Sequence, residues 1–187
     1  YTQGAYATDT VHFTAEINGY MYESLVDAIT AVQTDGTETT VKLLDDVTEN
    51  IRLTENRNIK LNLNGHTLSA AEYTIVLKHG SLNVVGKGTI KENSPCYAPV
   101  FIKSTATEND TNYCNVKIGK EVILEGWAGI FIDQNSKLAY GVNIEFNGKI
   151  NAKNDGSDAG TGIYINGQIQ QLNNAPNIIV GESANIG

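Results

Sequence analysis

The sequence predicts an all-β chain wound into about five stacked coils, with a hairpin and one α-helix ahead of them. Three observations carry this reading. Short apolar strands of three types recur in a fixed order, Gly or Asn stands at the same place in each repeat, and a helical period occurs in one stretch only.

The N-terminal elements come first. "VHFTAEINGYMY" (11–22) alternates apolar and polar residues on both sides of Asn18-Gly19, a dipeptide suited to a two-residue hairpin turn. In "ESLVDAITAVQTDG" (23–36), Leu25, Ala28, Ile29 and Val32 fall at i, i+3, i+4 and i+7, one face of a helix. Ser24 with Asp27 reads as a capping box, and Gly36 as the helix stop. The narrow apolar face must cover something, and "VKLL" (41–44) begins what it covers.

From residue 50 the chain repeats loosely. One strand type recurs as "IRL" (51–53), "IVL" (75–77), "VFI" (100–102), "IFI" (130–132) and "IYI" (163–165). A second recurs as "LNL" (61–63), "LNV" (82–84), "VKI" (116–118), "IEF" (144–146) and "IIV" (178–180). A third is a brief apolar touch at Leu68, Ile90, Ile123, Ile150 and Ile186. Between the second and third stand Asn64-Gly65, Gly86, Gly119, Asn147-Gly148 and Gly181, residues that tolerate positive φ. A hairpin at Asn64-Gly65 would need a long returning arm. The arm is short and the next strand repeats the first type, so the chain turns a corner and climbs one level. Levels about 4.8 Å apart would give parallel ladders on three faces. The repeat drifts from roughly 21 to 36 residues, as variable corner loops on a fixed strand frame would produce.

The run "INGYMYESLVDAITAV…VKLLDDVTENIRL…NIKLNLNGHTLS…GSLNVVGKGTI" resembles a recurrent module of secreted and cell-surface bacterial proteins. In that module a hairpin and a capping helix precede a right-handed parallel β-helix of the pectate-lyase-like type. The resemblance covers residues 15–95 by motif and the remainder by strand order. It implies residues 1–49 as a hairpin and helix cap and 50–187 as β-helix coils. It also implies a secreted or cell-surface location. "PNIIVGESANIG" stops on a strand, so further domains after Gly187, or a partner over that end, are expected.

Composition narrows the function. The formal charge is −8, with two arginines beside eleven lysines, which leaves no basic stripe for nucleic acid. Apolar runs are short, so membrane insertion is not expected. Cys96 and Cys114 match no zinc spacing; they read either as one disulfide or as two small buried hydrophobes.

With the flanking aliphatics of the first strand type inward, the middle residues Arg52, Val76, Phe101, Phe131 and Tyr164 point outward. Phe101, Phe131 and Tyr164 would form a file of rings, with Lys103, Asp133 and Asn166 beside them and lengthened loops as walls. Flat rings offer apolar area at low entropy cost, and the polar neighbours can bond hydroxyls. The expected function is a non-catalytic, adhesin-like binding module for carbohydrate or a surface protein, without a cofactor or metal. The competing reading of the file is a ladder of rings on the sheet, or rings under a folded loop. The competing function is a polysaccharide lyase or glycoside hydrolase fragment, which needs two converging groups. The sequence places only Asp133 on the trough floor, with Asp110, Asp155 and Asp158 on its walls. "NDGSDAG" (154–160) reads as a glycine-rich turn rather than a calcium loop, because it lacks the bidentate glutamate. His66 and Asp45-Asp46 read as turn residues, and Trp127 as a lone contact residue.

Overall fold

A computed structural model of the chain describes residues 10–94, 96–104, 114–133, 141–153, 160–166 and 176–186. Strands β1 (Ala15–Ile17) and β2 (Tyr20–Tyr22) form the expected antiparallel hairpin, pairing Ile17 with Tyr20. Asn18 and Gly19 take φ of +50° and +86°, the two positive values that a type I′ turn requires.

Helix α1 (Leu25–Ala31) follows, and it buries Leu25, Ala28 and Ile29 as its period predicts. Ser24 is the N-cap, its hydroxyl accepting from the Asp27 amide at 3.2 Å. The other half of the expected capping box comes from elsewhere. The Glu49 carboxylate accepts from the amides of Leu25 and Val26 at 3.0 and 2.8 Å and from the Ser24 hydroxyl at 3.2 Å. A carboxylate at this end satisfies orphan amides and opposes the helix dipole. Gly36 is not the helix stop: the helix ends at Ala31 with Val32 extended, and Gly36 (φ +83°) turns the chain into the next strand.

The remaining strands arrive in threes. After β3 (Glu38–Leu43) and β4 (Val47–Thr48) come β5 (Ile51–Leu53), β6 (Asn58–Asn62) and β7 (Thr67–Ala70). Next are β8 (Ile75–Leu77), β9 (Ser81–Val85) and β10 (Gly88–Glu92), then β11 (Val100–Ile102), β12 (Cys114–Ile118) and β13 (Val122–Gly126). The last two sets are β14 (Ala128–Asp133), β15 (Val142–Phe146) and β16 (Lys149–Ala152), then β17 (Thr161–Asn166), β18 (Asn177–Val180) and β19 (Asn185–Ile186).

From β3 onward each strand pairs in parallel with the one three places later. The result is an eight-stranded sheet (β18-β15-β12-β9-β6-β3-β1-β2), a six-stranded sheet (β19-β16-β13-β10-β7-β4) and a five-stranded sheet (β17-β14-β11-β8-β5). The fold is therefore all-β with one helix and three largely parallel sheets, compatible with a β-helix-like fold. Parallel pairing begins at Glu38, inside the 1–49 segment.

The first strand type pairs in the register its repeats predict. The second does not begin at "LNL". Ile59, not Leu61, stands opposite Leu82, and Leu61 stands opposite Val84, a slip of two residues. In the third type Leu124, not Ile123, continues the line from Ile90 to Ile150. The reason is packing: Leu124 is fully buried, while Ile123 is half exposed.

One continuous core fills the space between the sheets. Val41, Ile59, Leu61, Leu68, Ile75, Ile90, Val100, Ile130, Ile144 and Phe146 are all at most 2% exposed. Removing a side chain of this kind from water contributes about 1.5–3 kcal/mol. Turns between sheets bond to the neighbouring repeat: Leu63 N–H to Val85 O, Gly119 N–H to Val84 O, Asn147 N–H to Ile118 O and Gly181 N–H to Phe146 O, each at 2.9 Å. Cys96 and Cys114 are free thiols, the first exposed and the second buried; burial pushes the Cys114 thiol up to about 11.

Candidate functional site

The five-stranded sheet carries the file of rings. Phe101, Phe131 and Tyr164 are register partners on β11, β14 and β17. Their centroids lie 5.3 and 5.1 Å apart with tilts of 38° and 39°. Parallel pairing places them there, because the same position of each repeat must lie over its predecessor. Phe101 and Phe131 are half-buried, and Tyr164 is 36% exposed. Val76, one strand below, is buried at 3%, so the exposed file starts at Phe101.

Three further rings complete the surface: Tyr73 and Tyr97, which the sequence reading did not single out, and Trp127, which it read as a lone contact residue. Tyr73 stacks on Phe101 at 4.1 Å and 21° and lies 6.1 Å from Phe131. Tyr97 meets Tyr73 edge-on at 4.9 Å, and Trp127 meets Tyr164 edge-on at 5.1 Å. Trp127 is thus part of the cluster rather than a lone contact. The segment holding Tyr73 is pinned on both sides. Asn50 Nδ2 donates to the Tyr73 carbonyl, and the Thr74 hydroxyl donates to the Lys91 carbonyl at 2.7 Å. The sequence carried a signal for all three rings. Tyr73, Tyr97 and Trp127 each precede a first-type strand by two or three residues, at the same corner in successive repeats.

Polar groups border the rings. Asp133 and Asn166 are register partners, and Lys103 Nζ lies 3.2 Å from the Asp133 carboxylate. The Lys103–Asp133 pair is therefore charge-matched rather than a pair of converging acids. Glu92, at the end of β10, is 2% exposed; burial pushes its carboxyl above the usual carboxylate range. The carboxylate accepts from the Ser94 amide at 3.0 Å, and the Tyr97 backbone amide also faces it. Burial, then Tyr97, Asp133, Glu72 and Glu92, push the Tyr73 phenol up. Tyr73 therefore keeps its proton and remains a hydrogen-bond donor at neutral pH.

Asp110, Asp155, Asp158 and residues 154–159 of the "NDGSDAG" stretch lie outside the described residues. His66 stands at the corner after Asn64-Gly65, 3.6 Å from Asp46, whose carboxylate also accepts from the Thr67 amide at 2.7 Å. His12 lies 3.2 Å from Asp45. Among the described residues no helix is long and apolar enough to cross a membrane. What this arrangement can do chemically is hold a flat, partly apolar ligand face against rings while Lys103, Asp133 and Asn166 bond its polar rim. No protein-family model, curated protein or solved structure matches this chain.

Proposed function

We propose that the chain is a right-handed parallel β-helix of about five coils that acts as a non-catalytic, adhesin-like binding module of a secreted or cell-surface bacterial protein. It takes carbohydrate through the aromatic file. The coil reading is supported by the pairing of every third strand, and the right hand by the strong chirality of parallel crossovers. The binding reading rests on one observation: six rings from four successive repeats gather on the five-stranded sheet and the corner beside it, ending at the exposed Tyr164. The engagement of Asp133 by Lys103 favours recognition over acid–base chemistry.

The test is binding of the wild type and of Tyr164→Ala and Phe131→Ala to plant, mucin and cell-wall glycans, with reducing ends and unsaturated products assayed in the same wells. Tyr164→Ala should weaken binding by about tenfold and melt as the wild type does, because its ring is the most exposed. Binding unchanged in both variants would overturn the reading. Turnover lost on Asp133→Asn would establish a lyase or hydrolase instead.

A further inference from the structure

A second concavity lies on a different sheet. It is a groove of about 460 Å³ on the outward face of the eight-stranded sheet, lined by residues of β3, β6, β9, β12, β15 and β18. One wall is a register column in which Asn58, Ser81, Asn115, Asn143 and Asn177 pair in succession. At the usual strand spacing this column is roughly 19 Å long.

The amides are chained along it. Asn143 Nδ2 donates to Asn115 Oδ1 at 3.0 Å, and Asn115 Nδ2 donates to the Ser81 hydroxyl at 3.2 Å. A primary amide has two N–H donors and two acceptor sites, so the chain uses only part of each. In the neighbouring column the Asn83 carbonyl oxygen is buried without a partner, and Lys117 is closed on Glu145 at 2.8 Å. Ile179, 55% exposed, adds an apolar spot on β18.

We infer that this groove binds an extended neutral polysaccharide lying across the strands. Sugar hydroxyls both donate and accept, and they can take up the spare amide capacity repeated at the strand spacing. The Ile179 side chain can meet the apolar face of a ring. Among the described residues that line the groove Lys117 is the one cation and is held by Glu145, while Glu38 adds negative charge, which disfavours an anionic chain; Lys60 continues the column past Asn83, outside the lining. An extended peptide is disfavoured as well. β6, β9, β12 and β15 are hydrogen-bonded on both sides, so along most of the groove there is no free edge for strand addition; β18 alone of the lining strands ends the sheet. The inference does not depend on the aromatic file.

Calorimetry of the full chain with cello-, xylo- and manno-hexasaccharides, and with hexagalacturonate as the anionic probe, tests it. Neutral hexasaccharides should bind the wild type and bind Asn115→Ala/Asn143→Ala about tenfold more weakly. Asn177→Ala, on the outermost strand, should show a smaller loss in the same direction and serves where the double variant does not fold. Because the aromatic file is itself proposed to take glycan, the asparagine variants are also measured in a Phe131→Ala/Tyr164→Ala background, where hexasaccharide binding should persist and should still fall on Asn115→Ala/Asn143→Ala. Failure of every neutral probe, equal or tighter binding of hexagalacturonate, binding lost only in the aromatic variant, or binding only to peptides would each overturn the proposal.

Discussion

Two of the Asn-Gly pairs in this chain share their positive φ values and differ in what they bond to. Asn18-Gly19 has φ values of +50° and +86°, and Asn64-Gly65 has +52° and +91°. The first folds β1 onto β2, and its flanks bond each other, with Thr14 N–H to Tyr22 O at 2.8 Å just beyond. The second sends β6 and β7 into different sheets. Its groups bond to segments far along the chain: Gly65 N–H to Lys87 O at 2.6 Å and Asn64 Nδ2 to Leu43 O at 2.9 Å. Turn chemistry therefore sets the local dihedrals, while partners above and below decide where the chain goes next.

The contrast can be broken hardest at a glycine in the parallel region. Gly80→Ala would place a Cβ 2.4 Å from the Arg57 carbonyl at φ +94°, whereas Gly19→Ala at φ +86° meets nothing within 4 Å. Denaturant melts should show a loss of about 3 kcal/mol or more for Gly80→Ala and about 1 kcal/mol for Gly19→Ala. Equal losses would mean that close approach between levels is not what makes this region tight. Next comes the asparagine pair. Asn64→Ala leaves the Leu43 carbonyl without its side-chain donor and should cost about 2 kcal/mol, against less than about 1 for Asn18→Ala.

A smaller effect separates two glutamates by the sign of their pH dependence. The carboxyl of Glu92 is raised by burial, so the folded chain holds that proton more tightly than the unfolded chain does. Stability should fall as pH rises from the ordinary carboxylate range through the raised folded value, and Glu92→Gln should remove that slope. Glu145 is lowered by its hydrogen bond to Lys117, so its contribution is present above the ordinary carboxylate range and fades as pH falls. Thermal melts of Glu92→Gln and Glu145→Gln between pH 3 and 7, about the span of carboxylate titration, would expose the opposite slopes. The smallest difference is expected between Gly65→Ala and Gly19→Ala. Both have positive φ and open space at Cβ, and their losses should agree within about 0.5 kcal/mol.

Much of this fold was legible because parallel pairing puts like positions over like. The first strand type could be aligned by its middle residue, and Phe101, Phe131 and Tyr164 fell in one file. The second type slipped by two residues at "LNL", since alternation looks the same after any even shift. Leu124 lost its place to Ile123 because two adjacent aliphatics leave the face undecided until the core selects one. Glu49 as helix cap could not be read, because it stands 24 residues from the Leu25 amide it accepts from. The site was half legible. Its three strand rings follow from periodicity, whereas Tyr73, Tyr97 and Trp127 lie on corners, where alternation says nothing about direction. The asparagine column was missed for a different reason. Its members flank the aliphatic triplets that defined the repeat, and so they drew no attention as a file.

The every-third-strand pairing also governs how the chain can be made. Each strand from β6 onward pairs with the one three places earlier, and the partners are near in sequence, as with Ser81 and Asn115, 34 residues apart. No distant loop has to close before the next contact forms. The antiparallel hairpin and α1 supply the first template, so assembly can run in one direction behind a growing chain. A lesion at one level would then spare the levels before it and leave those after it without a surface to copy.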